Sequence, residues 1–385
     1  MRIGIAAPAD LSLLSPLFPG TTLPQGIGST VIAQLVLALY RGGDQVVLYT
    51  LDESVDGHRR FDAEGLTVHI GPYRRRHRMR DLMAVERRAI RDMIREDPPD
   101  VVSAQWCYEF ALGALATGRP TLITSNDWAP TIFRLKPDPY RLGRLGLFLW
   151  TLVHGRQFAA PSPFIADRVS RFRRRPCAVV GQPLEEQLFR PAPRRWPGGA
   201  PALISIANGW GRLKNTQSLI QAFALLRRSI PAATLTICGA DHGPGGPAER
   251  WARSAGLAEG VAFDGLLPHA VVLDRLSHSH LCVHPSLSEA FGQTILEAMA
   301  SGTPVVASRD AGAVPWLLEQ GRAGVLVDTR DPAALCGAMT GLLSDPNRWE
   351  SQSAAGLTSA RARFTAQAVA ERYRALLRRL LDSRL

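Results

Sequence analysis

Residues 284–300 read His284-Pro285-Ser286-Leu287-Ser288-Glu289-Ala290-Phe291-Gly292-Gln293-Thr294-Ile295-Leu296-Glu297-Ala298-Met299-Ala300. Two carboxylates stand here with seven residues between them, and the Phe291-Gly292 step reads as a helix start. Upstream, Leu281-Cys282-Val283 reads as a buried strand. Downstream, Gly302-Thr303-Pro304 stops the helix and Val305-Val306-Ala307 opens the next strand. One βαβ unit therefore delivers a loop carboxylate, a helix N-terminus and a helix carboxylate to one rim. In open parallel sheets that rim is where ligands bind. Unpaired N–H groups at a helix start suit phosphate, and carboxylates accept from sugar hydroxyls. The combination is chemistry for a nucleotide sugar.

Each residue also has an ordinary reading. Thr294-Ile295-Leu296-Glu297 fits a capping box, in which Glu297 only ties back the helix start. Glu289 reads equally as a solvated loop residue. The whole string, however, resembles the Glu-x7-Glu signature of retaining glycosyltransferases of family 4, the glycosyl transferases group 1. The likeness runs from Pro285 through Glu289, Phe291-Gly292 and Glu297-Ala298-Met299-Ala300 to Gly302-Thr303-Pro304-Val305-Val306-Ala307. It covers most of the chain and is strongest from about residue 203 to 345. It implies the α/β GT-B fold, with two Rossmann-like domains whose parallel sheets face a central cleft. It also implies transfer of a sugar from a nucleotide sugar to an acceptor hydroxyl with retention of anomeric configuration. The alternatives are a non-catalytic GT-B partner protein and another GT-B enzyme, such as a nucleotide-sugar epimerase or a phosphorylase.

The chain of 385 residues suggests two domains. Its 46% hydrophobic content suffices for two cores. No apolar run reaches the roughly 18 residues of a membrane span. Met1-Arg2-Ile3-Gly4-Ile5-Ala6 reads as a strand and not as a signal peptide. Cys107, Cys177, Cys238, Cys282 and Cys336 are odd in number and lack metal spacing. They read as reduced residues of a cytoplasmic protein. The net charge of +11 is carried largely by arginine, as in Arg74-Arg75-Arg76 and Arg173-Arg174-Arg175. No nucleic-acid module accompanies it, so no nucleic-acid partner is expected. Peripheral contact with the inner face of a membrane is the more specific reading of that charge. Gly143–Val153, apolar and flanked by Arg141, Arg144 and Arg156, reads either as a buried helix or as a segment that dips into a membrane surface.

Strands and helices alternate, which argues for parallel sheets. In the first half the expected strands are 3–6, 46–49, 67–70, 101–103, 122–124 and 178–180, with helices near 29–41, 84–95, 109–116 and 165–172. In the second half the strands are 203–206, 235–238, 261–263, 281–284, 305–308 and 325–327. Helices there fall near 216–228, 248–255, 271–277, 293–299 and 332–343. Pro191-Ala192-Pro193-Arg194-Arg195-Trp196-Pro197-Gly198-Gly199 has linker chemistry. The expected division is 1–185 for the acceptor-side domain and 186–365 for the nucleotide-sugar domain. By resemblance, a helix in 366–385 packs back on the first domain.

Lys214 sits in Gly209-Trp210-Gly211-Arg212-Leu213-Lys214-Asn215, after one strand and before a helix. A lysine on such a turn reaches a diphosphate as a point charge, although an exposed loop lysine is the ordinary alternative. The position matches the family's lysine. The family's arginine about five residues earlier is Gly209 here, and Arg212 is the candidate to supply that charge. Pro24-Gln25-Gly26-Ile27-Gly28-Ser29 lies between the first strand and first helix, where glycines let backbone N–H groups approach a ligand. The long segment 7–23 is expected to shape an acceptor pocket. Asn126-Asp127-Trp128 follows a strand where many relatives carry His-Asp. Asparagine hydrogen-bonds a hydroxyl but exchanges no proton near neutral pH. Trp106 stands at another strand end.

The resemblance thus implies Glu289, Asn126 and Lys214 as catalytic. Glu297, Arg212, Gly209, Gly292, Gln293, Thr294, Phe291 and Leu266 would hold the donor, with Leu266 beside the base. Gly26, Gly28, Asp127 and Trp106 would line the acceptor side. The expected co-substrate is a UDP- or GDP-sugar, and the acceptor a carbohydrate, a lipid-linked sugar or a small molecule. No Asp-x-Asp motif occurs, so neither a metal nor a separate cofactor is expected.

Overall fold

Parallel strands covered on both faces are buried along most of their length, as are β-strand residues 3–6, 101–105 and 281–284 here. The computed structural model describes residues 1–28 and 30–382. The chain divides into two compact units, Met1–Leu184 with Phe364–Leu385, and Glu185–Arg363.

In the first unit eight strands form one sheet: β1 (Arg2–Ala6), β2 (Gln45–Asp52), β3 (Arg59–Ala63), β4 (Leu66–Pro72), β5 (Val101–Gln105), β6 (Thr121–Thr124), β7 (Gln157–Ala160) and β8 (Ala178–Val179). Their order is β3-β4-β2-β1-β5-β6-β7-β8. All neighbours pair in parallel except β3 with β4. β3 was not expected from sequence. Its residues Arg-Arg-Phe-Asp-Ala lack an apolar run, and the pair Arg60–Asp62 blunts a solvent edge. Gly65, at φ +73°, turns the chain back into β4.

The segment 7–23 is packed against the core along much of its length. Ala7, Ala9, Leu11, Leu14, Phe18 and Leu23 join the core of this unit, and a short 3-10 turn covers Ser15–Leu17. The helix Thr30–Arg41 follows; its expected start at Ser29 lies outside the described residues. Two further helices follow: Ala129–Leu135, which was not expected, and Pro139–His154, which contains the apolar segment 143–153. The last helix, Ala366–Asp382, buries Val369, Tyr373 and Leu377 in the same core. Its Arg374 Nε donates to Asp44 Oδ2 within this unit.

The second unit holds an all-parallel six-stranded sheet: β9 (Ala202–Ile206), β10 (Thr234–Cys238), β11 (Val261–Gly265), β12 (Leu281–His284), β13 (Val305–Ser308) and β14 (Val325–Val327). Its order is β11-β10-β9-β12-β13-β14, which brings the carboxyl ends of β9 to β12 side by side. The core packs Leu203, Leu235, Leu281 and Val306 against Phe223, Leu226, Met339 and Trp349. The stretch 191–199 is anchored as well as linking: Arg194, 9% exposed, donates to Ser279 O and Thr303 Oγ1. Helix Pro346–Phe364 was also not expected. Among the described residues no helix is long and apolar enough to cross a membrane.

Candidate nucleotide-sugar site

The carboxyl ends of β9, β10, β11 and β12 surround a cavity of about 380 Å³ in the second unit. Lys214, Leu266, His269, His284, Glu289, Gln293, Thr294 and Glu297 all line it. Six of these come from the motifs singled out in the sequence. His284 opens the quoted stretch without a role assigned to it there, and His269 lies outside the motifs.

Local backbone rules place Lys214. The turn after β9 needs left-handed residues, with Gly209 at φ +96°, Gly211 at +144° and Asn215 at +54°. Leu287 N donates to Leu213 O at 2.8 Å, tying this turn to the loop after β12. Asn215 Nδ2 reinforces the tie by donating to Pro285 O at 3.3 Å and Thr329 O at 2.8 Å. Lys214 Nζ then meets Glu289 Oε1 at 2.7 Å.

His284, at the last position of β12, donates through Nε2 to the same Glu289 oxygen at 3.2 Å. A carboxylate only accepts, so Nε2 carries the proton. Burial by itself pushes the Glu289 carboxyl up. The hydrogen bond and charge from His284 and the charge of Lys214 outweigh burial and hold it down at about 2.

Helix Gln293–Ala300 begins with Gly292 as its N-cap, at φ +107°. Thr294 therefore lies inside the first turn, and the capping-box reading of Thr294 and Glu297 does not apply. The N–H groups of Gln293 and Thr294 have no partner among the described residues, as expected at a helix start. Glu297 lies one turn further in, with its side chain 8% exposed, and accepts from His269 Nε2 at 2.9 Å. That bond raises the His269 pKa above its ordinary value, against the opposing effect of burial. The Gln293 Oε1 is buried and unpartnered.

The remaining donor-side candidates lie outside the cavity lining. Phe291 packs against Trp316. Gly209 donates its N–H to Ala240 O. Arg212 is exposed and makes no ion pair among the described residues.

The first unit carries the other candidates. Gly26 and Gly28 have φ of +79° and +115°. A Cβ on Gly26 would lie 2.2 Å from Ala9 O, so only glycine fits. Its N–H is not free for a ligand, because it donates to Asp52 Oδ2 at 2.7 Å. Asp127 is likewise engaged: its carboxylate accepts from Tyr108 OH at 3.0 Å and from Arg144 Nη2 at 3.1 Å. Burial nonetheless raises its pKa. Trp106 is half-buried at the end of β5 with φ +65°. Asn126, just past β6, donates through Nδ2 to Gln105 Oε1 at 3.1 Å.

Two α/β domains with parallel sheets, one bearing this rim of carboxylates, lysine and helix start, define the GT-B class. The first half matches the model described as Glycosyltransferase Family 4 over residues 28–185, and the second half the Glycosyl transferases group 1 model over 200–345. The chain belongs to this family of glycosyltransferases. It is 31% identical over 209 residues to a D-inositol 3-phosphate glycosyltransferase of Corynebacterium diphtheriae, covering 51% of this chain and 48% of that one. It spans about a third to a half of the length of the curated relatives it matches. The fold superposes on sucrose-phosphate synthase of Thermosynechococcus elongatus with a TM-score of 0.77 at 19% identity, over the whole of both chains. Anabaena Alr3699/HepE, solved in complex with UDP and glucose, gives a TM-score of 0.69 at 16% identity, covering 98% of this chain and 99% of that one.

Proposed function

We propose that this protein transfers a sugar from a nucleotide sugar to an acceptor hydroxyl with retention. The observation that carries the proposal is the shared cavity of Glu289, Glu297 and Lys214 at the head of helix Gln293–Ala300. Glu297 accepts from the ribose hydroxyls and Glu289 from hydroxyls of the donor sugar. Lys214 and the free N–H groups of Gln293 and Thr294 hold the diphosphate, where the helix dipole favours negative charge. Leu266, 73% exposed at the cavity mouth, offers an apolar surface to the base.

In the reaction the bond from the anomeric carbon to the diphosphate oxygen breaks as the acceptor oxygen bonds to the same face. The acceptor hydroxyl's proton passes to the departing diphosphate oxygen, and the nucleoside diphosphate leaves. The protein's part is to position the reactants and to stabilise the charge that develops on the leaving group. Lys214 exchanges its Glu289 partner for, or shares it with, the diphosphate. The UDP- and glucose-bound neighbour favours a UDP-sugar donor, and the inositol-phosphate relative a small hydroxylated acceptor. A thermal-shift panel of UDP-, GDP- and ADP-sugars tests the donor reading. A true donor at about 100 times its Kd stabilises the fold by roughly 2.7 kcal/mol, and no shift with any of them opposes it.

We also propose that the protein acts at the cytoplasmic face of a membrane, held there peripherally by helix Pro139–His154. That helix buries Leu147, Phe148 and Leu152 but leaves Leu142, Trp150 and Val153 in solvent, on one stripe. Exposed Leu135, with Arg134 and Lys136, adjoins it in sequence. An apolar stripe with basic neighbours suits an anionic lipid surface. The five free thiols favour a reducing compartment.

A further inference from the structure

Glu289 takes both of its side-chain bonds on one oxygen. Lys214 Nζ and His284 Nε2 meet Oε1 at 2.7 and 3.2 Å. Oε2 has no partner among the described residues and is not sealed from solvent, so it opens to the cavity that Glu289 lines. The two donors differ in how firmly they are held. Lys214 stands on a turn with Gly209 and Gly211, at the end of a flexible four-carbon stem, and its side chain is 29% exposed. His284 has two side-chain torsions, ends β12 and is buried. The loop after it is pinned at both ends. Pro285 O accepts from Asn215 Nδ2 at 3.3 Å and from Thr329 Oγ1 at 3.0 Å. Glu289 O accepts from Ala313 N at 3.0 Å. Lys214 is therefore free to turn to another partner, and His284 is not.

An anion in the cavity competes for Lys214. A buried carboxylate that loses its partners takes up a proton, and it then no longer offers two accepting oxygens. Burial does push the Glu289 carboxyl up, and His284 opposes this more strongly than Lys214 does. The other titratable groups lining the cavity are Cys238, His269 and Glu297. His269 is engaged by Glu297, and a thiol supplies no cation. We propose that His284 is a positioning residue that keeps Glu289 ionised, with Oε2 open to the cavity, when a phosphate-bearing ligand draws Lys214 away. The proposal rests on the reading that Lys214 binds a diphosphate. It goes beyond that reading in dividing the partners of Glu289 into one that leaves and one that stays. The ligand group that meets Oε2 is then a hydrogen-bond donor, because a carboxylate only accepts.

The first readout needs neither ligand nor turnover. In protein carrying 13C at the glutamate carboxyls, the Glu289 signal is identified by its loss in Glu289→Gln. Lys214→Ala removes the lysine outright, and at about pH 5 the Glu289 signal remains that of a carboxylate. Adding His284→Leu turns it into that of a carboxylic acid. Adding His284→Gln instead, whose amide N–H reaches toward the same oxygen, leaves it a carboxylate. A carboxylate in the Leu double variant, or an acid already in Lys214→Ala alone, overturns the proposal. Should the Leu variant not fold, His284→Ala is read in the same way. The second readout is the pH profile of turnover of a UDP- or GDP-hexose with Lys214 intact. His284→Leu lowers kcat about tenfold at pH 6, as expected when one carboxyl titrates about a unit above the working pH, and less at pH 8.5. His284→Gln restores the wild-type profile. A loss equal at both pH values and not restored by Gln would show His284 to be packing only. If wild type turns over neither sugar, the transferase reading fails, while the carboxyl signals still decide the role of His284.

Discussion

Lys214 Nζ and Glu289 Oε1 stand 2.7 Å apart, so the lysine proposed to hold the diphosphate is paired with the carboxylate proposed to hold the sugar. Donor binding must rearrange that pair, and the cost is set by how well the diphosphate replaces it. Lys214→Ala should therefore lower kcat by about 100-fold, the scale of one lost donor to a developing anion, with little change in affinity for the bare nucleoside. Turnover assays beside nucleoside titrations check this, and equal turnover by variant and wild type refutes the role.

Glu297 should matter at the binding step. Its carboxylate is buried at the cavity wall, and its removal leaves ribose hydroxyls unpaired, a loss of roughly 1.5–3 kcal/mol. Calorimetric titration of Glu297→Ala with free nucleotide should show that weakening. Wild-type affinity in this variant would mean that Glu297 lies outside the nucleotide site.

The His269–Glu297 bond gives the site a pH dependence of defined sign. The His269 pKa is raised in the folded protein, so its contribution to stability is complete below the unfolded value near 6.5 and is lost as pH rises through the folded value. His269→Ala should lower Tm more at pH 6 than at pH 9. Ribose hydroxyls compete with the imidazolium for the same carboxylate, so nucleotide affinity should rise across this window in wild type and stay flat in the variant. The same Tm loss at both pH values argues against the ion pair.

The exposed stripe of helix Pro139–His154 predicts binding to vesicles containing phosphatidylglycerol and weaker binding to phosphatidylcholine alone. Trp150→Ser with Val153→Ser should reduce sedimentation with the anionic vesicles while leaving Tm near that of wild type, since both side chains are in solvent. Undiminished sedimentation would place the lipid contact elsewhere.

Much of the second unit was legible because its signals are local. The strands 203–206 and 281–284 are apolar runs between turn residues, and Glu289, Lys214 and Glu297 sit at fixed offsets from strand ends. What was not legible depends on pairings distant in sequence. His269 meets Glu297 from another strand–helix connection, and Gln105 meets Tyr373 from the far end of the chain. β3 escaped notice because an edge strand needs no apolar run. The burial of the segment 7–23 was not legible because its buried residues follow neither a helical nor a strand period. The spare N–H at Gly26 proved to be engaged by Asp52, a partner that no glycine spacing announces.

The proposal that Glu289, Glu297 and Lys214 frame a site for retaining transfer from a nucleotide sugar is tested most directly by the proton NMR spectrum of the product formed by wild-type protein from a UDP- or GDP-hexose and a hydroxyl acceptor. The nucleoside diphosphate should be released and the product should keep the donor's anomeric configuration. A product of inverted configuration, or tight donor binding with no release across a broad acceptor panel, would contradict it.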